Sequence, residues 1–138
     1  MKKSLCTLLL LILLPFGAAQ SAEFKLTGRT TWQLGQLMVN GIPFVLDEQT
    51  RFKDELSEDD LGGTWVDLEG VVEGELRLIR EVEKLEEDDE MDLEGPVEQG
   101  RIWGYVTSDD SLAPFEGRWL ELECKFDGMR LSRCREDD

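Results

Sequence analysis

The chain contains no histidine. That absence removes the commonest general base, the Ser–His and Cys–His nucleophile pairs, and the imidazole ligands of ordinary zinc, copper and nickel sites. Cysteine is scarce: three in 138 residues, at Cys6, Cys124 and Cys134. Glycine-rich phosphate loops, nucleophile elbows and helix-borne metal motifs are missing. Positive charge is scarce as well, with 15 basic against 31 acidic residues and a net charge of −16. Such a field repels nucleic acid and anionic lipid, which excludes both as partners, and attracts metal cations, polyamines and basic proteins.

The one long apolar run, Leu5–Phe16, follows Lys2 and Lys3 and precedes the small residues Gly17, Ala18, Ala19, Ser21 and Ala22. A charged start, a core too short to span a bilayer and small residues behind it read as a secretory signal peptide over residues 1–22. Cleavage after Ala19, Ser21 or Ala22 fits equally well. No cysteine sits at the cleavage region, so no lipid anchor is expected, and Cys6 leaves with the leader. The expected product is a periplasmic or secreted chain of roughly 116 residues, enough for one domain or two very small units. Its net charge is about −18, because Lys2 and Lys3 are gone. Two cysteines in an oxidising compartment favour a Cys124–Cys134 disulfide, stabilising by about 2–3 kcal/mol. The alternative is a two-thiolate metal site, for which no third soft ligand exists.

Turn signals recur at short intervals and separate strand-like segments. Phe24–Trp32 is the first; Gln36–Val39 and Ile42–Leu46 flank Asn40-Gly41, a hairpin signal. Pro43, lacking an N–H, points to an edge. A short extended piece lies at Thr50–Phe52, and Asp54–Leu61 reads as a helical turn or two ended by Gly62-Gly63. Trp65–Val72 alternates, with Val66, Leu68, Gly70 and Val72 on one face and Trp65, Asp67, Glu69 and Val71 on the other. Leu76–Val82 returns after a turn at Gly74. Residues 84–95 read as an acidic linker between a unit at 23–83 and a shorter one at 96–138, where strands resume at Arg101–Ser108, Arg118–Phe126 and Met129–Arg135.

The second half echoes the first. Gly63-Thr64-Trp65-Val66-Asp67-Leu68-Glu69 lines up with Gly117-Arg118-Trp119-Leu120-Glu121-Leu122-Glu123. The match runs on through Gly74/Gly128 and Arg77-Leu78-Ile79-Arg80 against Arg130-Leu131-Ser132-Arg133. Duplication of about 20 residues is one account and convergent hairpin patterning the other. Leu26-Thr27-Gly28 aligns with Ile102-Trp103-Gly104, and the second copy then lacks a counterpart of the Asn40-Gly41 hairpin. The echo carries a conflict. Directly opposed pairing of Cys124 with Cys134 turns Leu131 outward, whereas its counterpart Leu78 is expected inward; a bulge near Gly128 would reconcile them, and the disulfide takes precedence.

These residues together resemble a family of exported bacterial β-barrel domains of unknown function with an OB-like fold. The resemblance rests on Gly28 after a first strand, the hairpin Val39-Asn40-Gly41-Ile42-Pro43-Phe44, the exit Asp47-Glu48-Gln49-Thr50-Arg51-Phe52, and the strand Gly63–Gly70, with Leu76–Glu83 completing the barrel. It covers about residues 24–83. It implies a small five- or six-stranded barrel and supplies no catalytic residues.

Two features are candidates for chemistry. The acidic run from Glu83 to Glu94, with Glu86, Glu87, Asp88, Asp89, Glu90 and Asp92 at its centre, could collect Ca²⁺ or other hard cations, although it lacks the spaced loop that fixes calcium, and a solvated linker is the plainer account. Trp65 with Asp67 and Glu69, and Trp119 with Glu121 and Glu123, set an indole beside two carboxylates on matching strand faces. That pattern suits an organic cation or a basic partner; packing of the indoles against the other unit is the competing account. Trp32 and Trp103 have no acidic companions and are expected in the core. Paired carboxylates for glycosidic acid–base work need a cleft that so small a barrel does not offer. The expectation is therefore an all-β, non-enzymatic periplasmic binding or accessory protein without a cofactor. Its acidic surface would engage a basic protein or a divalent cation. The alternative is a structural or assembly component of a cell-envelope complex.

Overall fold

Alternating apolar and polar residues build almost everything in the computed structural model, which describes residues 22–85 and 89–137. The expected leader, with Cys6, and Glu86, Glu87 and Asp88 lie outside the described residues. The chain is all-β. Its first half comprises β1 (Ala22–Gln33), β2 (Gln36–Val39), β3 (Ile42–Phe44), β4 (Arg51–Phe52), a 3₁₀ turn at Glu58–Asp60, β5 (Trp65–Glu73) and β6 (Leu76–Lys84). The second half comprises β7 (Glu90–Glu98), β8 (Arg101–Ile102), β9 (Tyr105–Val106), a 3₁₀ turn at Ala113–Phe115, β10 (Trp119–Phe126) and β11 (Leu131–Glu136). The strands form one open sheet in the order β11-β10-β7-β1-β5-β6-β4, with β2 and β3 attached to β1, and β8 and β9 to β7. No helix among the described residues is long and apolar enough to cross a membrane.

The two halves repeat one plan: a long strand, two short hairpin strands, a 3₁₀ turn and a long hairpin. Register fixes the correspondence. Arg29 lies opposite Trp65 and Gly28 opposite Val66, while Pro96 lies opposite Trp119 and Gly95 opposite Leu120. Lys25-Leu26-Thr27-Gly28 thus matches Asp92-Leu93-Glu94-Gly95, correcting the expected match to Ile102-Trp103-Gly104. Trp103-Gly104 instead forms the twin of the Asn40-Gly41 turn. Backbone φ is 48° and 84° in the former, 52° and 80° in the latter. The second copy therefore keeps its hairpin. Gly28 and Gly95 share a reason for being glycine: a Cβ would collide with Val39 in one half and with the Trp103 indole in the other.

The halves join through β1 and β7, where Lys25 faces Glu94. One step along that register brings Leu26 opposite Leu93, both fully buried. These are twin residues, so a local two-fold axis passes between them. One core runs through both halves, from Phe24, Leu26, Leu68 and Ile79 to Leu93, Leu120 and Leu122. The acidic linker expected over 84–95 is corrected accordingly: β6 runs to Lys84, and β7 begins at Glu90 and occupies the middle of the sheet. Met91, Leu93, Gly95 and Val97 point into the core, while the acidic side chains between them face water.

The closed barrel expected for 23–83 is also corrected. The far strands of each half meet the rest through single parallel bridges, Val45–Leu78 and Thr107–Leu131. Cys124 and Cys134 form a disulfide, and Leu131 is nonetheless buried. A bulge reconciles the two: the β10–β11 register shifts between Glu123 and Lys125, with Arg133 at φ 51°. It sits beside the disulfide rather than at Gly128.

Candidate cation-binding face

Residues on opposite strands of an antiparallel pair point the same way, so the register itself lays out the solvent face of the sheet. One row runs Glu121, Glu94, Lys25, Glu69, Glu81 across β10, β7, β1, β5 and β6. A second pairs Glu123 with Asp92, and Thr27 with Asp67, which in turn faces Glu83. Four pairs of carboxylates therefore stand directly opposed: Glu121/Glu94, Glu69/Glu81, Glu123/Asp92 and Asp67/Glu83. Like charges in that position destabilise by about 0.2–1 kcal/mol a pair. Between the rows opens a trough of about 280 Å³, lined by Lys25, Asp67, Glu69, Glu83, Glu90 and Asp92 among others.

The face compensates itself in part. Lys25 Nζ lies 3.8 Å from Glu121. Lys125 Nζ is 3.0 Å from Glu90 and 3.9 Å from Asp89. Arg135 pairs with Glu123, and Thr27 Oγ1 donates to Asp67. At one end, carboxylate oxygens of Glu69, Glu81 and Glu83 lie within 4.8 Å of one another. Lys53 Nζ approaches Glu81 to 3.4 Å and Glu83 to 3.6 Å. Glu81 and Glu83 also hydrogen-bond each other, which holds Glu81 below and Glu83 above the ordinary carboxylate range. The same cluster raises the Lys53 ammonium, chiefly through its hydrogen bond to Glu81. Burial, then the charges of Glu121 and Glu23, push Glu94 upward. All-oxygen donors of this kind suit ammonium groups and hard divalent cations.

The structure unites the expected acidic residues and separates the indoles. Asp67 and Glu69 of β5, Glu121 and Glu123 of β10, and Asp92 of β7 share the two rows, and Glu90 of β7 stands beyond them opposite Lys125. Asp89 lies just ahead of β7. Trp65 and Trp119 stand at opposite ends of the sheet, 36% and 39% exposed, so packing claims most of each. Trp119 Nε1 donates to the Glu23 carbonyl at 2.9 Å, reaching across β7 to β1, and its ring meets Trp103 edge-on at 6.1 Å. The Trp65 ring lies 5.9 Å from Phe126. Trp103 is buried as expected; Trp32 is 41% exposed, a correction. Trp32 lies two residues before the β1–β2 turn, where its indole caps the rim and donates to the Leu61 carbonyl at 3.2 Å.

Sequence reasoning missed Lys25, Lys53 and Glu81, and placed Glu83 and Glu94 only at the ends of the acidic run. The alternation of Glu81-Val82-Glu83 and of Met91 through Val97 was the available signal. Compared with known proteins, the chain matches no family model, no curated protein and no solved structure.

Proposed function

We propose that this is a non-enzymatic, exported binding or accessory protein whose acidic sheet face holds a cationic partner, a basic polypeptide segment in preference to a single divalent ion. The carrying observation is the four directly opposed carboxylate pairs. Repulsion built into the middle of a sheet is a standing cost to the free protein, and an added cation relieves it. The rows extend over five strands, the span of a short extended segment rather than of one ion. Lys53 between Glu81 and Glu83 displays the mode of ammonium capture from within the chain itself. We also read each half as OB-like, a reading supported by the pairing of β1 with both β2 and β5 and by the parallel Val45–Leu78 bridge.

Calorimetric titration with pentalysine amide and with Ca²⁺, over a salt series, tests this. Pentalysine is expected to bind at low salt and to lose at least about tenfold in affinity at high salt, since charge-driven capture is screened. A Glu69→Gln/Glu94→Gln double variant is expected to fold and to bind at least about tenfold more weakly, about 1.4 kcal/mol. No binding at low salt, or an unchanged affinity in the double variant, sinks the reading. A second reading, an assembly role, is favoured by Trp32 and the fully exposed Leu34 at the β1–β2 tip. It requires self-association that survives high salt in sedimentation.

A further inference from the structure

The internal two-fold relation is broken at Phe126, and the break leaves a groove. Phe126 comes seven residues after Trp119, and its twin, seven residues after Trp65, is Val72. At the upper end of the sheet the Phe126 ring fills the space between Trp65 and Tyr105, with centroids 5.9 and 5.5 Å away. At the lower end Val72 has no ring to offer. A groove of about 320 Å³ lies there, walled by Trp119 and Pro96 on one side and by Val72 and Arg77 on the other, with Trp103 also lining it. A second space of about 150 Å³ shares Arg77, Pro96 and Trp103 and extends past Arg101.

Two further observations mark this groove out. Trp103 sits at φ 48°, a region disfavoured for a bulky side chain. Its ring is held there by contacts with Phe24, Phe44 and Trp119 and by a 2.9 Å hydrogen bond from Nε1 to the Glu94 carbonyl. The acidic rows also lead to the groove. Trp119 shares its strand face with Glu121, and its indole is tied to the backbone of Glu23. Two positive groups stand nearby. Arg77 donates to the Pro43 carbonyl at 3.2 Å and lies over the Phe44 ring, and Arg101 stands opposite Glu98.

We propose that the groove beside Trp119 binds an aromatic side chain carried by an extended basic peptide, seated as Phe126 is seated in the other half. The flanking lysines or arginines of that peptide lie along Glu23, Glu94 and Glu121. This rests on the cationic-partner reading and adds an anchor to it: charge supplies capture and the ring supplies register. The internal twin defines the occupant, because the same scaffold already holds a phenyl ring between an indole and a second aromatic ring.

The test compares acetyl-Lys-Lys-Phe-Lys-Lys-amide with acetyl-Lys-Lys-Ala-Lys-Lys-amide on the full, disulfide-bonded chain. The phenylalanine peptide is expected to bind about tenfold more tightly, with intermolecular NOEs from its ring to Trp119 and Val72. A Val72→Phe variant, which supplies the missing ring from within, is expected to erase that preference. Equal binding of the two peptides to the parent overturns the groove and leaves the charge reading standing. Binding of neither overturns both. Salt-insensitive binding of the phenylalanine peptide alone supports the groove and removes the charge reading. Should Val72→Phe fail to fold, the NOEs on the parent decide: contacts to Trp119 and Val72 support the groove, and ring contacts elsewhere overturn it.

Discussion

Tyr105 is the only tyrosine in the chain, and it ties the halves together. Its hydroxyl donates to the Thr27 carbonyl at 2.8 Å, and its ring meets Phe126 at 5.5 Å. Burial pushes its phenol up to about 12. A denatured chain ionises near about 10, so the contribution of the neutral phenol is intact below that pH and is lost as pH rises from about 10 to about 12. The phenolate absorbance of the native protein is therefore expected to titrate near 12, and that of the denatured chain near 10. A native midpoint near 10 would mean that the hydroxyl faces water. Nothing in the sequence around Tyr105 announces this role, because the partner is a backbone carbonyl 78 positions away. Trp103 was legible as core but not as a turn residue, since an indole carries none of the local hydrogen-bonding chemistry that makes Asn40 recognisable. Trp32 was misread for the complementary reason: its strand was legible, but its closeness to the hairpin rim was not weighed.

β7 and β11 show which elements a sequence reveals. β11 is an edge strand whose free side is covered by a loop rather than by another strand. The Ser108 N–H donates to the Leu131 carbonyl, the Arg133 N–H to Asp109 Oδ2, and the Cys134 N–H to Ser111 Oγ, each at 2.9 Å. The disulfide clamps the same strand from its other side, closing a sequence separation of 10. A Cys124→Ser/Cys134→Ser double variant is expected to lose about 2–3 kcal/mol of unfolding free energy in denaturant titrations. A loss under about 0.5 kcal/mol would mean that the side-chain hydrogen bonds of the loop hold the edge alone. The pairing was legible from the cysteine count and the expected export to an oxidising compartment. The bulge that makes it compatible with a buried Leu131 was not, because a single residue at positive φ such as Arg133 leaves no pattern. β7 was hidden differently. Its apolar residues Met91, Leu93 and Val97 alternate as a strand should, but every intervening position from Glu90 to Glu94 is acidic. Composition then reads as a solvated linker where period reads as a strand, and the structure follows the period.

For the whole molecule, the internal repeat and the charge are one problem. Each copy sets outward carboxylates opposite one another, and joining the copies about Leu26 and Leu93 gathers all four pairs on one face, with Lys25 opposite Glu94 at the seam. The Trp65/Trp119 correspondence was legible because both copies have the Gly-x-Trp start, whereas the β1/β7 correspondence was obscured because Lys25 is matched by Asp92 and Thr27 by Glu94. The second half therefore carries more negative charge than the first at the shared seam. Burial and its like-charged neighbours hold Glu94 above the ordinary carboxylate range. A raised carboxyl favours the folded state most when protonated, so its contribution is fully present below about pH 4.3 and is lost as pH rises through its native value. The free protein is accordingly expected to gain stability on adding sodium chloride, which screens charges beyond about 8 Å at physiological strength. Glu94→Gln is expected to raise stability at neutral pH by about 0.2–1 kcal/mol and to shrink the salt effect. Thermal melts of parent and variant across a salt series check this. A melting temperature indifferent to salt, or a less stable Glu94→Gln, would show that Lys25 and its neighbours already neutralise the seam. The sheet would then carry no unrelieved repulsion for a cationic partner to remove.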